Sequence, residues 1–298
     1  MSIHAVETEQ AMGTRIIPFF EKVTETFSYL VADSATKTGG IIDPVLDYDP
    51  AAGRITTHAA DAIANAIQAE GLRVEWILET HVHADHLSAA SYLKEKLGGA
   101  LGIGSHVRQV QQILGNLFND KPAPAPGAGF DRLFEDGETF RVGALDVKAL
   151  HTPGHTPADL SYMIEDAVFA GDTLFMPDYG TARCDFPGGD ARVLYRSIQR
   201  LLELPPLTRL FMCHDYAPGG RAHAFETTVA KERAQNIHVH DGVTEDAFVA
   251  LRTARDATLD APRLFLPSLQ VNMRAGELPP PESNGRRYFK IPIEASAH

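Results

Sequence analysis

The chain has 298 residues, 44% of them hydrophobic and 22% charged, which is the ordinary balance of a globular protein large enough to bury a sizeable core. Its formal net charge of −12 at pH 7 argues against nucleic acid or an anionic membrane as a partner, because both bind basic surfaces. The N-terminus lacks the pattern of a secretory signal, no apolar run is long enough to span a membrane, and only two cysteines occur, so we expect a cytoplasmic protein.

The N-terminal half of the chain predicts short strands and amphipathic helices. Apolar and β-favouring residues predict strands at 15–21, 26–33, 39–43 and 74–79. Helical spacing of apolar residues predicts helices at 58–70, at 87–97, and from an N-cap at Ser105 through Leu114. The proline-rich segment 119–129 predicts an exposed loop.

The C-terminal half predicts a second block of strands followed by helices. The predicted strands lie at 139–142, 145–151, 160–164, 167–170 and 209–213. The predicted helices lie at 190–202, at 222–236 and from Thr244 onward, and the tail from residue 261 is expected to be irregular although 288–291 is too apolar to be disordered.

This order of elements predicts an α/β (α+β) fold, an αββα sandwich of two mixed β-sheets flanked by helices. We expect one domain over residues 1–298. Its core would cover about 15–240, and a C-terminal helix and extension at 241–298 would pack on the side of the active site.

Polar side chains of the kind that bind metals follow several predicted strands. The stretch 80–87 places three imidazoles and a carboxylate between a strand and a helix, and a tight Pro-Gly turn and two later strand ends carry similar groups. The residues concerned are His81, His83, Asp85, His86, His155, Asp172 and His214. Strand ends are where open α/β sheets place their binding sites, so the sequence predicts a metal site.

The pattern H-x-H-x-D-H, followed by a loop histidine, a strand-end aspartate and a last histidine, resembles the metallo-β-lactamase superfamily over most of residues 15–240. The resemblance implies the metal ligands. In dinuclear members, the positions matching His81, His83 and His155 hold one metal. Those matching Asp85, His86 and His214 hold the other, and Asp172 matches the bridging carboxylate.

Three further stretches, 178–191, 214–216 and 267–276, resemble the persulfide dioxygenases (sulfur dioxygenases) of that superfamily. The resemblance implies one Fe(II) per chain, bound by His81, His155 and Asp172, a two-histidine, one-carboxylate set that leaves faces open for substrate and O2. It also implies that His83, Asp85, His86 and His214 orient and tune those ligands. The implied reaction oxidises glutathione persulfide with O2 and water to sulfite and glutathione.

Candidate substrate-binding residues follow from the same resemblance. Arg183 comes shortly after the aspartate strand and would suit a glutathione carboxylate, and Tyr216 would hydrogen-bond near the iron as a catalytic residue together with Asp172. The further candidates for holding the tripeptide are Arg221, Arg274, Arg287 and Tyr288. Cys184 is given no role, because unpaired cysteines are commonly inert.

Other functions stay open at this point. A glyoxalase II-like thioester hydrolase would use all seven ligands and two metals, although residues 183–190 do not resemble its loop and the tail lacks its basic cluster. A β-lactam hydrolase would need an export signal, and a non-enzymatic metal-binding or sulfur-sensing protein would not need surplus ligands. The sequence permits a homodimer without determining the oligomeric state, the thiol carrier or the filling of a second metal site.

Overall fold

The computed structural model describes residues 8–9, 13–120 and 127–293. The strands are β1 (Thr8–Glu9), β2 (Thr14–Glu21), β3 (Thr26–Asp33), β4 (Thr38–Ile42), β5 (Val45–Asp49), β6 (Arg54–Thr56), β7 (Arg73–Leu78), β8 (Leu87–Ser88), β9 (Ala100–Gly104), β10 (Arg132–Phe134), β11 (Thr139–Val142), β12 (Leu145–His151), β13 (Leu160–Ile164), β14 (Ala167–Phe169), β15 (Arg209–Phe211) and β16 (Glu226–Thr228). The α-helices are α1 (His58–Glu70), α2 (Ala90–Leu97), α3 (Val107–Leu117), α4 (Ala191–Leu202), α5 (Val229–Gln235), α6 (Glu245–Asp256) and α7 (Phe265–Asn272).

The strands form two large sheets and one small one. The first sheet has the order β1-β2-β3-β4-β7-β9-β10, and it is parallel from β4 onward and antiparallel before. The second has the order β11-β12-β13-β14-β15-β16, with β14 and β15 as its parallel pair. A small sheet joins β6, β5 and β8. Both large sheets are therefore mixed, as the sequence predicts.

The hydrophobic core has three layers, one between the two large sheets and one on the outer face of each. A buried strand contributes to two of these layers, because neighbouring residues point to opposite faces of its sheet. In β3, Leu30 packs with α1 and α2 on the outer side, whereas Tyr29 and Val31 pack between the two large sheets. Helices α4 and α6 cover the outer face of the second sheet. The predicted αββα sandwich is thus confirmed.

Local signals account for the helix ends that were predicted well. Helix α1 stops where Gly71 adopts φ 63°, a left-handed conformation that glycine accepts without steric cost. The Asp190 side chain accepts hydrogen bonds from the backbone N–H groups of Arg192 and Val193 and so caps α4. The Thr244 hydroxyl does the same for α6.

Two predicted helix starts were wrong. Leu87 and Ser88 form β8, which pairs with β5, so α2 begins only at Ala90. Ser105 is not an N-cap, because its hydroxyl donates to Glu135 Oε2 at 2.8 Å and α3 begins two residues later. In both places a partner far away in sequence competes with the local helix signal.

The predicted helix at 222–236 and the irregular tail also need correction. Residues 226–228 add strand β16 to the edge of the second sheet, and α5 starts only after them. The tail contains α7, whose residues Leu269 and Val271 are buried. Residues 121–126 of the predicted 119–129 loop lie outside the described residues. Among the helices of the described ranges, none is long and apolar enough to cross a membrane.

Candidate metal centre

The metal-binding side chains come from four strand ends that meet at one edge of the sandwich. His155, Asp172 and His214 follow β12, β14 and β15, three strands that run in the same direction. The H-x-H-x-D-H stretch follows β7 of the first sheet. The two sheets are joined here, since Thr26 pairs with His214 in an isolated β-bridge and its hydroxyl lies 3.2 Å from His214 Nδ1.

The seven side chains sort into two groups of potential ligands. His81, His155 and Asp172 bring three ligand atoms within 4.8 Å of one another, and Asp172 Oδ2 lies 4.0 Å from His81 Nε2 and 3.7 Å from His155 Nε2. The other group consists of His83, Asp85, His86 and His214. Asp172 Oδ1 reaches that group, 3.4 Å from His214 Nε2, so Asp172 stands between the two.

Several of these atoms are buried without a hydrogen-bond partner among the described residues. They are His81 Nε2, His83 Nδ1, His86 Nε2, His214 Nε2 and Asp172 Oδ1. A buried polar atom without a partner is costly, and both groups contain such atoms, so the two groups fit the binding of cations. Imidazole nitrogens with a carboxylate oxygen suit iron or zinc rather than calcium or magnesium. The residues present therefore fit a transition metal.

The remaining ring nitrogens hold the imidazoles in place. His155 Nδ1 donates to the backbone carbonyl of Arg183 at 2.7 Å, which leaves Nε2 as the free acceptor facing the site. His81 Nδ1 lies 3.0 Å from the Thr80 hydroxyl. Burial, followed by the neighbouring histidines, holds the pKa of His81 well below its usual value, so that its neutral, metal-binding form is favoured.

His83 is held by two buried carboxylates that the sequence analysis missed. Its Nε2 lies 3.0 Å from Asp43 Oδ1 and 3.1 Å from Glu79 Oε2, and Ser88 donates to Glu79. Burial, the largest single influence, lowers the pKa of His83, but the charge of Asp43 together with hydrogen bonds to Asp43, Cys213 and Glu79 raises that pKa well above its usual value. Both acids follow apolar strands, the same signal that identified Asp172, and could have been found by it.

Asn272 of α7, which the sequence analysis also missed, connects the C-terminal segment to the H-x-H-x-D-H stretch by hydrogen bonds. Its Oδ1 accepts from the Ser88 N–H at 2.7 Å, and its Nδ2 donates to the carbonyls of His83 and His86 at 2.8 and 2.7 Å. All three bonds go to the backbone of the ligand-bearing loop. Asn272 thus sets the course of that loop rather than touching the site directly.

A cavity of about 310 Å³ opens onto the metal-binding residues. His155, Asp172 and Asp85 line it, whereas His81, His83, His86 and His214 do not. Its walls come from the β2–β3 turn, from residues 175–186 and Tyr216, and from the C-terminal segment 252–264. The volume is at the lower end of the range for small-molecule sites.

Two of the predicted substrate-binding residues line the cavity. Tyr216 does so with its ring 4.5 Å from that of Tyr179. Arg183 also does so, but its guanidinium already donates to Asp185 and to the carbonyl of Asp260, each at 2.7 Å. Arg183 thus braces the C-terminal wall of the cavity.

The other four predicted substrate-binding residues lie outside the lining of this cavity and contact other protein groups, so their binding role stays a prediction. Arg221 bridges Asp178 and Asp215, and Arg274 pairs with Asp120. Arg287 donates to the carbonyl of Pro279, while the half-exposed Tyr288 receives a hydrogen bond from Asn284. Long polar side chains give no local sign of which partner they will meet. Three charged residues that the sequence analysis did not single out, Glu25, Arg255 and Arg263, line the cavity and belong to no motif.

The chain is similar to a family model, to three curated relatives and to a solved structure. The family model described as the Metallo-beta-lactamase superfamily matches residues 22–214. The chain is 59% identical to the “Probable metallo-hydrolase” of Burkholderia pseudomallei, covering 93% of this chain and 98% of that protein. It is 49% identical to “Glyoxylase B2” of Dictyostelium discoideum, with 94% and 97% covered, and 30% identical to “Persulfide dioxygenase ETHE1, mitochondrial” of Homo sapiens, with 86% and 87% covered. The crystal structure of ETHE1 from Myxococcus xanthus superimposes with a TM-score of 0.71 at 29% identity, covering 88% and 99%.

Proposed function

Because the chain belongs to the metallo-β-lactamase superfamily, we propose that it is an iron-dependent persulfide dioxygenase. The reaction would be glutathione persulfide + O2 + H2O → glutathione + sulfite + 2 H+. The outer persulfide sulfur is oxidised to sulfite, O2 is reduced, and the thiol carrier is released. The observation that carries this proposal is the separate group of His81, His155 and Asp172, two members of which face the cavity.

The proposed roles of this chain's residues follow from their positions. His81, His155 and Asp172 would hold the metal, and because His155 and Asp172 line the cavity, a small substrate in the cavity would lie beside it. Ferrous iron, when bound, supplies the redox chemistry that couples a persulfide sulfur with dioxygen. The rings of Phe175, Tyr179 and Phe186 line the cavity and would give the substrate an apolar surface to pack against.

Tyr216 has the position of a hydrogen-bond donor in this cavity. Burial, followed by the charges of Asp85 and Asp172, raises the pKa of its hydroxyl well above the usual value, so the group keeps its proton at neutral pH. Its ring stacks on His214 with centroids 5.9 Å apart. We assign it the role of orienting the substrate's sulfur end.

Two histidines of the second group lie close to carboxylates. Asp85 Oδ2 lies 3.2 Å from His214 Nε2, and His83 is fixed between Asp43 and Glu79. Under the proposal these side chains orient the ligands of the first group. The human relative named as a persulfide dioxygenase and the ETHE1 structure, at 30% and 29% identity, support the proposed function.

One alternative has its own support. Asp172 touches both donor groups, as a bridging carboxylate would in a two-metal thioester hydrolase, and the Dictyostelium relative is named “Glyoxylase B2”. Such an enzyme would hydrolyse a glutathione thioester through a metal-activated water. It would share the cavity but consume no oxygen.

Metal analysis combined with oxygen uptake distinguishes the two functions. We expect one iron per chain, O2 consumption with glutathione persulfide, and sulfite as product. Two metals per chain with hydrolysis of S-lactoylglutathione and no oxygen uptake would contradict the proposal and favour the hydrolase.

Asp172→Ala tests the assigned ligand set. We expect this variant to lose both metal and activity, because it removes the only carboxylate of the first group. Asp146→Ala, at an exposed position paired with Arg141, removes an equal charge and should retain both. A metal-loaded, active Asp172→Ala enzyme would show that the ligand set is wrong.

A further inference from the structure

The cavity carries charges of opposite sign on facing segments. The turn between β2 and β3 contributes one acid, Glu25. The C-terminal segment contributes three arginines and one acid, namely Arg252 and Arg255 from α6 and, after it, Arg263 and Asp260. A chain with a net charge of −12 that places arginines around a small cavity has the means to bind an anionic ligand.

Only some of these charges are available to a ligand. Arg252 is buried and pairs with Asp256 at 2.6 Å, and Arg183 pairs with Asp185. Among the described residues, Arg255 and Arg263 make no ion pair or hydrogen bond through their guanidinium groups; Arg255 only lies 5.8 Å from the centre of the Tyr179 ring. Arg255 and Arg263 are therefore the cations left to meet carboxylates.

Glu25 is the half-buried acid left without a partner on the other wall. Within the described part of the chain, its carboxylate makes no hydrogen bond and no ion pair, although the residue lines the cavity. Asp260, also in the lining, is exposed and belongs to the same segment as the two arginines. Glu25 is thus the acid placed to meet a cation that enters with the ligand.

Glu25 has a left-handed backbone conformation that is unusual for glutamate. Its φ is 55°, a left-handed value that favours glycine or asparagine. Its carbonyl accepts from the Asp215 N–H at 3.2 Å, and the Glu21 carboxylate accepts from the N–H groups of Val23 and Thr24 at 2.9 and 2.8 Å. A glutamate kept in a strained, anchored turn without a local contact points to a role in binding.

We propose that Glu25 selects the thiol carrier by binding its ammonium group, while Arg255 and Arg263 bind its carboxylates. The ligand class is a zwitterionic peptide thiol with one amine and two carboxylates. The inference rests on the proposed function for the reaction such a carrier would undergo, but binding can be measured without turnover.

Calorimetric binding to the 298-residue chain provides the test, with S-methylglutathione and its N-acetyl derivative as probes. Acetylation replaces the ammonium group with a neutral amide and leaves both carboxylates. We expect it to weaken binding to the wild type roughly ten-fold, the effect of one partly exposed charge-assisted contact. Glu25→Gln should weaken binding of S-methylglutathione by a similar factor and bind both probes equally, whereas Glu25→Asp should keep the preference.

A matched control is available in the chain. Glu165 has φ 53° in the turn between β13 and β14 and lies outside the cavity lining, so Glu165→Gln removes the same charge from the same backbone conformation. It should leave the preference intact. Arg255→Gln should weaken both probes alike, because both keep their carboxylates.

The outcomes separate the inference from the proposed function. A Glu25→Gln protein that still prefers the free amine, or a wild type that binds both probes equally, overturns the inference even if glutathione persulfide drives oxygen uptake. A preference that depends on Glu25 supports the inference even in a protein that consumes no oxygen, in which case only the dioxygenase assignment fails.

Discussion

Replacing Asn272 with alanine tests how strongly the C-terminal segment supports the metal-binding loop. The side chain is 4% exposed and makes three hydrogen bonds, all to the backbone of residues 83–88. Alanine would leave one buried N–H and two buried carbonyls without these partners. An unsatisfied buried group costs about 1–3 kcal/mol, and partial rearrangement would recover some of it, so we expect a loss of about 3 kcal/mol in the free energy of unfolding.

For a domain of this size that loss corresponds to a fall of roughly 6–12 °C in Tm. Urea unfolding followed by circular dichroism gives the free energy, and competition with a chelator gives the metal affinity. We expect both to fall, since the loop carries His83 and His86. Asn284→Ala, in an exposed turn, is the matched control and should change stability by less than about 0.5 kcal/mol. An Asn272→Ala protein with the stability and metal affinity of the wild type would refute the reasoning.

Two further predictions concern a glycine beside the site and a buried acid remote from it. Gly171→Ala should weaken metal binding in a metal titration, because a Cβ at this position would lie 2.7 Å from the hydroxyl oxygen of Thr80, the residue before His81. Gly53 has a similar positive φ, but a Cβ there would have nothing within 4 Å, so Gly53→Ala should change the titration far less. Burial raises the pKa of Glu232 from 4.5 to about 8, so the folded state keeps a proton that the unfolded state releases, and stability should decrease as pH rises from about 4.5 to about 8. Glu232→Gln should flatten that decrease in Tm measured from pH 5 to 9, and parallel curves for the two proteins would contradict the assignment.

The sequence alone accounted for most elements and for the ligand-type residues at strand ends. The spacing of hydrophobic residues, a glycine that ends a helix and a side chain that caps one all act within a few residues. The positions of α1 and α4 could therefore be predicted without knowing what each helix packs against. Asp172 and His214 were recognisable because each directly follows an apolar strand. The αββα arrangement followed from the order of these elements.

Interactions between distant segments explain what the sequence did not reveal. Ser105 had the local signal of an N-cap, but Glu135, thirty residues away, takes its hydroxyl. Arg274 was predicted to bind the substrate, but in the fold it donates a hydrogen bond to Asp120, 154 residues earlier in the chain. Neither outcome is encoded in a short window of sequence.

The amino-acid sequence by itself determined most of the segments that become strands and helices and which of them carry imidazole and carboxylate groups, since both depend on local pattern and residue type. Only the tertiary structure decided how seven donors divide into two groups about Asp172 and which charges line the cavity. Those features arise where two sheets and a C-terminal segment pack together. Their contacts join residues up to 189 positions apart, beyond the range of any local signal.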